Sequence, residues 1–126
     1  DSLDFHFFSK TMAAASEYDP SKTKINEDTL GEWLRTPVGE DLTSVPGVGN
    51  AAITRFETVG ITNTFQLIGQ FLLLKGNEGI EQHMNAFFTW LKDAGVNAHR
   101  HTICLALAEK CDIFMPGIYD AELYGQ

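Results

Sequence analysis

The chain is poor in positive charge. Nine lysines and arginines stand against 17 aspartates and glutamates, a formal net charge of -8 at pH 7. That balance argues against a broad polycationic surface for nucleic acid. Long apolar runs are missing as well: Phe71-Leu72-Leu73-Leu74 stops at Lys75, well short of the roughly 18 uninterrupted apolar residues of a membrane span. There are only two cysteines, Cys104 and Cys111. At that spacing on one helix their Cα atoms stand about 10 Å apart, too far for an internal disulfide. Two buried core thiols, in keeping with a reducing compartment, are expected instead. Catalytic signatures are absent: no nucleophile elbow, no Walker glycine loop, no His-Glu-x-x-His and no complete dinucleotide fingerprint. His99 and His101 are two apart on a presumed helix and point in different directions, and His6 and His83 are distant. No metal site, no cofactor and no enzyme are therefore expected. The sequence starts at Asp1 rather than Met, so the lack of a visible targeting peptide excludes no compartment.

What is present suits one domain with a tail. The chain has 126 residues, 44% of them apolar, with nine phenylalanines and two tryptophans as bulky core material. Its acidity is uneven. Residues 1–41 carry nine acidic and four basic residues, whereas residues 42–115 carry six and five. The sequence divides into an acidic, aromatic arm with a short helix (1–35), a helical domain (36–115) and a tail (116–126). Phe5, Phe7, Phe8 and Tyr18 make the arm a docking element, expected to fold back onto this domain or onto a neighbour.

Helix signals fill the remainder. A short helix is predicted from Asn26 to Leu34, closed by Pro37 and Gly39. A turn of helix covers Leu42 to Val45. Asn50 to Val59 is stopped by Gly60. Thr62-Asn63-Thr64 caps a helix to Lys75 whose apolar residues cover most of its circumference, so one face meets either the core or a partner. Another helix runs from Gly79 to Ala94, with Met84, Phe87, Phe88 and Leu91 facing inward, and Gly95 ends it. Asn97 is predicted to cap a last helix to Phe114, with Ile103, Cys104, Leu107 and Cys111 or Ala108 inside. No strand period appears, so the fold class is all-α, a compact bundle of about five helices.

The motif with chemical content is Ser44-Val45-Pro46-Gly47-Val48-Gly49-Asn50, a tight glycine hairpin opening into the Asn50 helix, closed by Val59-Gly60-Ile61. Such a helix-hairpin-helix leaves backbone N–H groups at a helix N-terminus without intrahelical partners, and the helix dipole aids an anion there.

Thr36-Pro37-Val38-Gly39, Pro46-Gly47-Val48-Gly49, Gly60-Ile61 and Leu67 through Lys75 occur in an order that resembles the barrier-to-autointegration factor family. Trp90-Leu91-Lys92-Asp93, Asn97-Ala98 and Cys111-Asp112-Ile113-Phe114 continue it. The likeness spans about residues 36–114. It implies a SAM-like helical homodimer in which each subunit's hairpin binds double-stranded DNA without sequence preference, so that the dimer bridges duplexes. It also implies LEM-domain-like or other protein partners, a chromatin role, and a nuclear or cytoplasmic location. By the same likeness Gly47, Val48, Gly49 and Asn50 would contact phosphate, with Arg55, Lys75 and Arg100 as electrostatic support. Ile68, Gly69, Phe71, Leu72 and Leu73 would lie at the dimer contact.

Several departures weaken the charge term. Thr54-Arg55 replaces a lysine pair, Lys75 is followed by Gly76, and the basic start of the last helix reads His99-Arg100-His101. Ile53 stands where the family has glycine, and about seven residues are inserted around Asn77 to Gln82. With two or three cations drawn from Arg55, Lys75, Lys92 and Arg100, the salt slope of DNA binding would be about -2 to -3. The competing expectation is an acidic protein-interaction or structural subunit of a larger assembly, with an organellar one among the options, that kept the fold and lost DNA binding.

Overall fold

The computed structural model describes residues 17–125. Five α-helices carry the fold: α1 (Glu27–Arg35), α2 (Asn50–Thr58), α3 (Thr64–Leu73), α4 (Ile80–Asp93) and α5 (Arg100–Phe114). Three short 3-10 turns cover Pro20–Lys22, Leu42–Ser44 and Ala121–Tyr124, and no strand occurs among the described residues. The all-α bundle expected from the sequence is thus observed.

Local chemistry sets most helix ends. The Asn26 side chain accepts a hydrogen bond from the Thr29 N–H at 2.7 Å and caps α1, and Asn63 caps α3 by accepting from Gln66 N–H at 2.9 Å. At the end of α2, Ile61 N–H reaches back to Phe56 O at 2.9 Å and Gly60 N–H to Glu57 O at 3.2 Å. Gly60 takes φ +82°, as this closing motif requires. The same pair of bonds ends α4 at Gly95 and Val96.

Asn97, however, does not cap the last helix. The helix begins at Arg100, behind His99 in the left-handed region at φ 61°. His99 is the non-glycine residue with positive φ among the described residues. Tertiary contact explains the shift: His99 packs against the bare face of Gly47, where an added Cβ would meet it.

The core is layered around α5. Ile103, Cys104, Ala106, Leu107, Ala108 and Cys111 are all fully buried, so this helix is enclosed rather than amphipathic. Burial raises the thiol pKa of both cysteines, that of Cys111 to about 11. An aromatic spine crosses the bundle. Phe56 of α2 stacks on Trp90 of α4 at 6.0 Å, Trp90 stacks on Phe87 at 5.6 Å, and Phe87 meets Phe71 of α3 edge-on at 5.2 Å. Because α2 and α3 both seat on α4 through this spine, the hairpin leading into α2 is held rigidly.

Helix α1 docks on α5 by a polar lock. Trp33 Nε1 donates to Ala106 O at 2.8 Å. The buried Lys110 ammonium donates to Trp33 O at 2.6 Å, to Leu34 O at 3.2 Å and to Thr36 O. These carbonyls lie at and just beyond the C-terminus of α1, where a cation also complements the helix dipole.

Candidate nucleic-acid interface

The hairpin is built by two glycines that act differently. Gly47 has φ +91°, and a Cβ there would lie 2.9 Å from Ile103 Cγ1 and 3.3 Å from His99 Cβ. It is therefore glycine for internal reasons: left-handed backbone and close approach to the start of α5. Gly49 is exposed and has extended backbone at φ -112° as the N-cap of α2, and a Cβ added there would meet nothing within 4 Å. No side chain caps α2 at this point. The first N–H groups of α2 thus face outward beside Gly49 and the exposed Asn50.

Val48, by contrast, is buried in the core. Its backbone N–H donates to Val45 O at 3.0 Å, closing the hairpin turn.

Two clefts flank the hairpin. One, of about 380 Å³, runs between Gly47–Ala52, Arg55 and residues 95–99. Arg55 lies across Gly95, where an added Cβ would sit 3.0 Å from Arg55 Cδ. The other, of about 390 Å³, lies between Gly47–Gly49, His99, Asn26 and Lys24. Neither is lined by a carboxylate. His99, at the start of α5, borders both, and α5 also lacks a side-chain N-cap. Two uncapped helix N-termini therefore converge on one acid-free rim.

Of the three cations expected at the hairpin, Arg55 lines a hairpin cleft and Lys75 and Arg100 do not. Arg55 is exposed at the rim. Arg100 turns inward: its Nη1 donates to Val96 O at 2.8 Å and its guanidinium lies 5.3 Å over the Phe88 ring. Lys75 is exposed at the end of α3, where its Nζ approaches Gly76 O at 3.4 Å, and it lines neither hairpin cleft. Lys24, which belongs to no motif, lines a hairpin cleft. Lys22 and Lys24 together border an adjoining hollow with His99, His101 and Thr102. Ser21-Lys22-Thr23-Lys24 was the available signal, a basic island in an otherwise acidic arm. His101 accepts from Asp19 N–H through Nδ1 at 3.0 Å. Burial first, and then the Lys22 charge, hold its pKa below the ordinary value.

A third groove lies on the other side of Thr29 and Pro46, and it is of opposite character. It encloses about 690 Å³ and is lined by Asp28, Glu32, Glu40 and Asp41 around Trp33, Pro37 and Pro46, with no lysine or arginine. Four of the chain's 17 acidic residues line it. Asp41 accepts from Thr43 Oγ1 at 2.7 Å and Thr43 N–H at 2.9 Å, bonds that hold its carboxyl below the usual range.

The residues named for self-association separate into two sets. Ile68 and Phe71 are buried within the subunit, with Phe71 O bonded to His83 Nε2 at 2.7 Å. Gly69 is exposed, Leu72 is half-buried and Leu73 is 76% exposed. With Phe65, 54% exposed, Gly69 and Leu73 form a row at four-residue spacing along α3. Of the arm residues, Tyr18 is buried against this domain, and Phe5, Phe7 and Phe8 lie outside the described residues. No group of three His, Cys, Asp or Glu side chains among the described residues is arranged to hold a metal ion. No helix among them is long and apolar enough to cross a membrane.

Comparison with known proteins agrees with this architecture. A family model described as "Barrier to autointegration factor" matches residues 23–114. The mouse barrier-to-autointegration factor is 34% identical over 87 residues, covering 67% of this chain and 91% of the relative. The Caenorhabditis elegans barrier-to-autointegration factor 1 is 36% identical over the same length and coverage, and the human protein is 33% identical. No solved structure matches the chain significantly.

Proposed function

The chain belongs to the barrier-to-autointegration factor family, and from that premise we propose that it is a dimeric adaptor that binds and bridges double-stranded DNA without sequence preference. The observation that carries this is the acid-free hairpin rim: an uncapped α2 N-terminus at Gly49 and Asn50 beside Arg55 and Lys24. Backbone N–H groups would place the phosphate, and the cations would supply affinity by displacing counterions. With Arg55, Lys24 and Lys22 engaged, the salt slope per hairpin would be about -3. Lys75 and Arg100 drop to secondary roles, since one lies away from the clefts and the other faces Phe88. The chemistry is binding, not catalysis, in keeping with a chromatin protein of the nucleus or cytoplasm.

Bridging requires two hairpins in one particle. The Phe65, Gly69 and Leu73 row supplies the contact: exposed apolar side chains on either side of a glycine, with open space above it. LEM-domain-like or other protein partners would bind the resulting dimer. A gel shift of long duplex at low salt tests DNA binding, and micromolar protein that leaves the duplex unshifted refutes it. Leu73→Glu should halve the mass seen by light scattering while the helical circular dichroism of the folded chain is kept. A wild-type protein that is already monomeric removes the bridging mechanism.

A protein-only interaction module is the competing function. It is favoured by the acidic groove at Asp28, Glu32, Glu40 and Asp41 and would be selected by the same gel shift if the duplex stays free.

A further inference from the structure

The segments flanking the family match, 17–22 and 115–125, are fastened to each other. Tyr18 and Tyr119 share a hydrogen bond between their hydroxyls at 2.8 Å, and both rings are buried. Tyr18 also meets Tyr124 edge-on at 5.4 Å, and Tyr124 stacks against Tyr119 at 6.0 Å. The tail is seated in turn by Asp112, whose Oδ1 accepts from Gly117 N–H at 2.9 Å.

From this clasp the chain runs as a strap toward the hairpin, held by side-chain acceptors of α4 and α5. Tyr18 N–H donates to Asn85 Oδ1, Asp19 N–H to His101 Nδ1 and Lys24 N–H to Thr102 Oγ1, each at 3.0 Å. The 3-10 turn at Pro20–Lys22, capped by Asp19, fixes the course between these points. The result is the hollow of about 440 Å³ bordered by Lys22, Lys24, His99, His101 and Thr102, with no carboxylate in its lining. Lys22 also lines a second cleft, on the Tyr124 side, together with Glu17, Asp19 and Glu81, so its charge is shared between the two, whereas Lys24 borders the hairpin cleft itself. The Asp19 carboxylate there is occupied by Ser21, which donates from Oγ at 2.7 Å and from N–H at 2.9 Å.

We propose that the Tyr18–Tyr119 clasp is a positioning device that holds Lys22 and Lys24 beside the hairpin, so that the strap becomes a second phosphate-contacting element of the DNA face. This rests on the DNA-binding function proposed above. The strap restores, from outside the helix pair, positive charge that α2 and α5 lack at their own N-termini. Tyr18, Tyr119 and Tyr124 act through the lysines and do not touch the duplex.

The test compares charge removal with clasp removal in the full chain, using a 30-base-pair duplex over a series of NaCl concentrations. Replacing both lysines (Lys22→Gln with Lys24→Gln) should lower the magnitude of the salt slope by about two, near 0.9 per cation. Tyr18→Ala, with every lysine present, should lower it by about one or more and weaken binding about fivefold. Tyr119→Phe, which keeps the ring and leaves the buried Tyr18 hydroxyl without this partner, should act in the same direction and covers the case of a poorly folded Tyr18→Ala. Amide exchange at Asp19 and Lys24 should accelerate in both clasp variants. An unchanged slope despite accelerated exchange overturns the proposal, as does exchange that does not respond to the clasp. A wild-type protein that leaves the duplex free overturns the DNA-binding function along with it, which separates that failure from failure of the clasp alone.

Discussion

The hairpin rim and the groove beside it share Thr29 and Pro46 in their walls but carry opposite chemistry. On the rim, the side chains capable of charge are Lys24, Arg55 and His99. In the groove they are Asp28, Glu32, Glu40 and Asp41. A formal charge of -8 is therefore not spread evenly over the surface. Charges separated by more than about 8 Å are largely screened at physiological salt, so a duplex on the rim would respond first to the side chains that line it. Net charge governs solubility and long-range steering, while contact affinity follows the local arrangement.

The seat of α1, whose Asp28, Glu32 and Trp33 line the acidic groove, gives the largest test of this contrast. Lys110→Met keeps the aliphatic stem but leaves the α1 carbonyls at Trp33, Leu34 and Thr36 without their cation. A charged donor lost from one buried and two part-buried acceptors costs about 1.5–3 kcal/mol. Urea denaturation should record that loss. A stable variant would mean that α1 is held by Trp33 alone, and the groove wall would need no internal cation.

Within the rim, Gly47 and Gly49 can be separated. Gly47→Ala forces a Cβ against Ile103 and His99 at φ +91°, so a destabilisation of about 1–3 kcal/mol is expected in thermal or chemical melts. A neutral result would show that the α5 start yields freely. Gly49→Asp should do the reverse. Its backbone suits an N-cap carboxylate, so stability should rise by a few tenths of a kcal/mol. A negative charge in the proposed phosphate site should meanwhile weaken duplex binding about tenfold or more. Equal DNA affinity in that variant would move the contact away from Gly49.

The smallest effect sharpens the comparison from the groove side. Glu32→Gln with Glu40→Gln removes two carboxylates that line the groove and neither hairpin cleft. Duplex affinity at physiological salt should rise less than about twofold if salt screens the groove from the rim. A rise of tenfold would show that the groove's field reaches the hairpin. Exposed Glu32 is also paired with Arg35 at 3.2 Å, an arrangement worth little to stability, so melting should barely change.

Much of the fold was legible because its signals are local. Asn63 as a cap, Gly60 and Gly95 as helix stops and Pro37 after α1 all act within a few residues of where they stand. The start of α5 was not legible: Asn97 is a good capping residue, but the packing of His99 on Gly47, 52 positions away in sequence, sets the helix start at Arg100. The candidate site was half legible. The Pro46–Asn50 hairpin and Arg55 follow from the motif. The inward turn of Arg100, governed by Val96 O and the Phe88 ring, does not, nor does the arrival of Lys22 and Lys24 on a strap with no periodic pattern.

By itself the sequence determined the helices, most of their punctuation and the family, because capping, glycine stops and apolar spacing are short-range properties of the chain. Only the tertiary structure decided which charges share a surface. Lys24 comes beside Gly49 through Thr102, and Asp41 comes beside Asp28 through the seating of α1 on α5. Such proximity depends on how the helices pack, and charge counted along a chain carries no record of it.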